Sequence, residues 1–224
     1  ENGLDRGGGL LPGGHRVTAV SGSGSQGVES EPERRGWGSS ATAVFAEELS
    51  RPALIEAIRA GHAYVRTHGV DDSPEVELTG AGPGGQTAMM GDTLVADLAE
   101  LTVTVRGGNG QTITILRDGE PFGDPVPVTS DPFTHSFTAT RVGSSGPLGT
   151  FWRIDVADSR SLTAITNPIF LTGTGPAPAD PGPPGASGGG SDQLPRTGGA
   201  PIPLALAAVA LAVAGTGFLK LARR

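Results

Sequence analysis

Four histidines, a serine-glycine loop and an acidic pair are the residues of this 224-residue chain whose types could do chemistry. His15, His62, His68 and His135 could ligate a metal or carry a proton, but none has a partner at a spacing such as His-x-His or His-Glu-x-x-His. His62 and His68 flank a predicted strand and are expected in solvent or in loop contacts. Asp71-Asp72, after His68, offers oxygens to a hard cation, although beside Ser73-Pro74 the pair reads as a solvated turn. Ser21, Ser23 and Ser25 alternate with glycine, as a nucleophile or phosphate cradle would. No Gly-x-Ser-x-Gly with a following triad and no Gly-Lys-Ser/Thr accompanies them, so a flexible turn is expected. The chain has no cysteine, which removes disulfides, thiolate metal sites and cysteine nucleophiles together.

A different chemistry is signalled at the other end, at Leu194-Pro195-Arg196-Thr197-Gly198. Pro195 fixes a bend in an otherwise extended peptide, and Gly198 leaves the bond after Thr197 uncrowded. From residue 198 to 219 there are 22 residues without a charge, followed by Lys220, Arg223 and Arg224. At about 1.5 Å rise per residue a helix of that length crosses a hydrocarbon layer of roughly 30 Å. A transmembrane helix over 201–219 is therefore expected, with its basic end in the cytoplasm and everything before it outside.

Pentapeptide, apolar stretch and basic end, in that order, resemble the LPxTG sorting signal of sortase substrates. The resemblance implies that sortase cuts between Thr197 and Gly198 and joins the Thr197 carbonyl to an amine of peptidoglycan. The protein would be secreted, held at the membrane as a spanning precursor, and then attached covalently to the cell wall. Cleavage would remove three positive charges and take the formal net charge from −7 to −10.

Glycine and proline together make up a quarter of the chain, with 37 and 19 residues. Much of that excess lies in 173–193, a proline-then-glycine tract with no side chains to bury, which reads as a disordered linker. The acidic balance and the lack of a lysine-arginine run before the last residues exclude a nucleic-acid footprint.

Two stretches, about 40–70 and 75–172, carry enough apolar residues for a core. Ser50 as cap, Pro52 in the first turn, an apolar face of Leu54, Ile55 and Ile58, and Gly61 as stop predict one helix. Strands are predicted at residues 16–20 and 63–67, giving a β-loop-α-β order that suits an α/β fragment over 1–73. From residue 74 to 172 short alternating runs at 76–78, 101–105, 112–116, 136–139 and 151–156, separated by turns such as Asp118-Gly119, predict an all-β sandwich-like domain. Four regions result: 1–73, 74–172, the linker 173–193, and the sorting signal 194–224.

Several of these pieces resemble the C-terminal part of a PHP (polymerase and histidinol phosphatase) superfamily metallohydrolase with an appended β-domain. The matching stretches are residues 16–27, Leu49-Ser50 with 57–61, Tyr64-Val65, Leu116-Arg117-Asp118-Gly119 and Thr166-Asn167-Pro168-Ile169-Phe170. The resemblance implies that 1–73 is the end of a PHP-like barrel, with divalent metals and phosphoesterase activity in the family. In that family the first loop usually reads Gly-Ser-Asp-Ser-His, and its aspartate and histidine hold metal. Here Gly24 and Gln26 occupy those positions, so neither ligand type is present and no metal ligand or catalytic residue is assigned. The sequence supports a sortase-anchored wall protein whose phosphoesterase-like part is inactive by itself, or else a non-catalytic, adhesin-like binding or spacer module.

Overall fold

The computed structural model describes residues 15–23, 38–143, 148–173 and 209–213. Helix α1 (Arg51–Ala60) forms where its caps predict. Ser50 Oγ accepts from the Ala53 N–H at 3.3 Å, and Gly61, at φ 84°, closes the helix by donating its N–H to Ile58 O. A positive φ is cheap for glycine alone, so the helix stops there. Its buried face, Ala57 with Leu54 and Ile58, rests on Val44 and Ala63. A single further turn, α2 (Gly69–Asp72), follows.

Apart from a 3-10 turn at Pro83–Gly85, the remaining regular elements are strands: β1 Ala41–Ala46, β2 Ala63–Arg66, β3 Glu75–Ala81, β4 Thr87–Met89, β5 Thr93–Val95, β6 Leu98–Arg106, β7 Thr112–Arg117, β8 Glu120–Pro121, β9 Val126–Pro127, β10 Phe133–Thr140, β11 Thr150–Ala157, β12 Leu162–Thr166, β13 Ile169–Thr172 and β14 Val209–Val213. They form two sheets. The smaller runs β10-β6-β3-β4 and is antiparallel throughout. In the larger, β14-β1-β2-β12-β11 continues through β7 to β8 and β9. β12 and β13 pair with the same edge of β11 and are separated by Asn167-Pro168, where proline cannot donate to the ladder. β5 joins β13 in parallel, and the other pairs of described strands are antiparallel.

The sheets pack face to face as a β-sandwich, as expected for 74–172. Val76, Leu78, Leu101, Val103 and Val105 of the small sheet meet Ile113, Trp152, Ile154, Val156, Ile169 and Leu171 of the large one. Each such side chain, fully buried, contributes about 1.5–3 kcal/mol. Ala43 and Tyr64, from β1 and β2, belong to the same core.

The expected fold class is corrected in three respects. The first stretch is not an α/β fragment: β1 and β2, on either side of α1, are antiparallel neighbours and join the sheet of the sandwich through β2 and β12. An α/β unit would set them parallel across the helix. The strand before α1 is β1, not residues 16–20, which form no ladder. The transmembrane helix expected over 201–219 is overturned as well. No helix among the described residues is long and apolar enough to cross a membrane, and residues 209–213 pair as β14 with β1, Val44 opposite Leu211. A continuous apolar run satisfies its backbone as a helix or as a paired strand, and hydrophobicity alone does not choose between them. The linker beyond Gly173 and the pentapeptide 194–198 lie outside the described residues.

Candidate functional site

Residues 15–23 lie along the outer face of the large sheet, held mainly by side chains rather than by a ladder. Asn167, at the break between β12 and β13, accepts from the Ala19 N–H at 2.7 Å through Oδ1 and donates through Nδ2 to Ala19 O at 3.2 Å and Ala63 O at 2.7 Å. Both N–H donors and one acceptor site of one buried amide thus hold two backbones together. Thr18 Oγ1 donates to Ile58 O at 2.8 Å, near the end of α1. Thr42 Oγ1 accepts from the Ser21 N–H and donates to Ser21 O, both at 2.8 Å.

This docking leaves a cleft of about 120 Å³ lined by Arg16, Thr18, Arg59, Gly91, Asn167 and Phe170, among others. Arg16 is fixed there from three sides. Its Nη2 donates to Gly91 O at 3.0 Å and Thr93 Oγ1 at 2.5 Å, and its guanidinium lies 4.5 Å from the centre of the Phe170 ring. The floor is equally constrained, because a Cβ on Gly91 would stand 2.2 Å from Ala60 O and 2.7 Å from the Gly61 Cα. Two left-handed glycines in contact, Gly61 and Gly91, let the β4–β5 turn touch the end of α1. His62 Nε2 and Asp92 Oδ1, 2.8 Å apart, latch the same junction, and Asp92 Oδ2 also accepts from the Met89 N–H at 2.9 Å.

The structure disperses the residues singled out in the sequence. His62 pairs with Asp92; His68 meets Thr67 Oγ1 and Ser161 Oγ at 3.0 and 3.1 Å; His135 stacks on Phe137; His15 is exposed. Among the described residues no three His, Cys, Asp or Glu side chains gather as a metal site. Asp72 is exposed at the end of α2. Ser21 contacts Ser40 hydroxyl to hydroxyl at 2.5 Å. Ser25, with Gly24 and Gln26 at the family's ligand positions, lies outside the described residues, as does the pentapeptide with Thr197.

Sequence reasoning gave no role to Arg153 and Asp155, which share the outer face of β11. Arg153 Nη2 donates to Asp155 Oδ2 at 3.2 Å, while Arg153 Nε and Asp155 Oδ1 are buried without a partner. Burial pushes the Asp155 carboxyl above its ordinary range, against the pull of the Arg153 charge. The only signal for this pair in the sequence is its i, i+2 spacing within a strand.

Comparison with protein-family models, with curated proteins and with solved structures finds no match to this chain.

Proposed function

We propose that this is a cell-wall surface protein, anchored by sortase to peptidoglycan through Thr197, whose β-sandwich is displayed as a non-catalytic binding or spacer module. The observation that carries the reading is the order Leu194-Pro195-Arg196-Thr197-Gly198, 22 uncharged residues, then Lys220, Arg223 and Arg224. Display rather than catalysis is supported by the histidines, which the fold disperses and none of which joins a metal-binding group among the described residues. The test is fractionation of cells producing the protein. Thr197→Ala removes it from the wall fraction, and wall linkage that survives the substitution rules the anchoring out.

A second reading, a divergent PHP-like phosphoesterase, is favoured by one observation. The stretches that carry the resemblance meet in space, with Ala19 on Asn167 and Thr18 on Ile58. Metal content and p-nitrophenol release from a phosphodiester, measured on the full-length protein, decide it. Metal-dependent turnover supports the enzyme reading, and its absence in metal-loaded protein leaves the display module.

A further inference from the structure

We propose that the cleft between residues 16–18, the end of α1 and the start of β13 binds a small oxyanion of the phosphate class. The proposal stands apart from wall anchoring and uses none of its residues.

Arg16 and Arg59 both line this one concavity, and guanidinium groups stay charged at any working pH. Gly91 O, Thr93 Oγ1 and the Phe170 ring fix the plane of the Arg16 head through one nitrogen and one face. The rest of its donor edge makes no further hydrogen bond among the described residues. Arg59, in the last turn of α1, makes no hydrogen bond or ion pair among them either.

Among the described residues no carboxylate pairs with either arginine. Asp92, next to the lining Gly91, is held by His62 and by the Met89 N–H. Glu56, one turn before Arg59, is exposed and makes no ion pair with it among the described residues. Two cations in one cleft, on a chain of net charge −7, make a local positive site that favours an anionic guest. Planar guanidinium edges match the oxygens of phosphate two at a time. A phosphate near its second ionisation carries the charge of about two carboxylates, so it outbids acetate here. A volume of about 120 Å³ admits a small oxyanion.

The experiment titrates the full 224-residue chain with inorganic phosphate at constant ionic strength and follows backbone amide shifts. Saturable shifts confined to residues 16–18, 58–61 and 91–93 are expected, with acetate about tenfold weaker. Arg59→Gln, which removes an exposed side chain with no hydrogen bond or ion pair among the described residues, weakens phosphate about tenfold while the melting temperature without phosphate stays unchanged; this is the scale of one lost charge-assisted hydrogen bond. Shifts that never saturate, acetate binding as tightly as phosphate, or an Arg59→Gln protein with undiminished affinity would each overturn the proposal. Phenyl phosphate in a parallel titration separates the sources. Equal affinity supports a phosphate monoester as guest, and loss of binding supports the free ion.

Discussion

In the small sheet, β3 and β6 bury every second residue: Val76, Leu78, Leu101 and Val103 face the core, while Glu77, Thr79, Thr102 and Thr104 face out. In the large sheet β11 buries both sides, with Trp152, Ile154 and Val156 inward and Phe151 and Asp155 outward. The small sheet is half wet. The outer face of the large one is a second interior, covered by α1 over Val44 and Ala63, by residues 15–21, and by the Phe151–Phe170 cluster with Leu148. One-sided burial writes an alternation into the sequence, and two-sided burial writes an almost continuous apolar run. The sandwich therefore has one face built for solvent and one built for its own chain.

Substitutions on the two sheets put this difference to the test. Trp152→Ala, at the centre of the shared core and edge-on to Phe122 at 4.9 Å, should cost about 3–5 kcal/mol in urea unfolding. A loss below about 1 kcal/mol would mean that the two sheets do not share one core. On the outer face of the large sheet, Asn167→Ala should cost about 2–3 kcal/mol, because it leaves the buried Ala63 carbonyl without this donor and frees Ala19. Limited proteolysis should then cut near residues 15–21 in the variant before the wild type.

Asp155→Asn probes the same face by pH. Burial, opposed by the Arg153 charge, raises the folded carboxyl above 3.8, so the folded state holds this proton more tightly than the unfolded chain. The stability contributed by this residue is complete below about 3.8 and is lost as pH rises through the raised folded value. Relative to wild type, Asp155→Asn should gain stability across that window and level off above it. Paired urea titrations at several pH values check this, and a difference that does not change with pH contradicts the buried carboxylate. The smallest effect belongs to the wet face. Thr104→Ala, losing only a 3.5 Å hydroxyl contact with Thr134, should fall within about 0.5 kcal/mol of wild type. A larger loss would show that this face too is covered.

What could be read in the sequence follows the same division. The alternating runs located β3, β6, β7, β10 and β11, and the caps Ser50 and Gly61 bounded α1. β1 went unread because Ala41-Thr42-Ala43-Val44-Phe45-Ala46 is small and buried on both faces, which leaves no polar beat to count. Residues 16–20 have the composition of a strand, but their backbone is tied by Asn167 and Thr42 side chains, a bond type that periodicity does not encode. For the cleft, Arg16 and Arg59 are 43 positions apart and carry no motif. Only the contact of Gly61 with Gly91 and the docking of residues 16–18 bring them to one place.

The Asn167 clip also sets an order of events. Ala19 and Asn167 are 148 positions apart, so this clip closes only when almost the whole sandwich has been synthesised, long after Ser21 can meet Thr42 and Thr18 can meet Ile58. β2 likewise waits for β12, and β5 for β13. Such distant pairings raise the mean sequence separation of contacts and slow folding. A chain leaving a ribosome or a translocation pore would thus complete its large sheet last, and keep the β2 edge of the β1–α1–β2 piece open until β12 arrives.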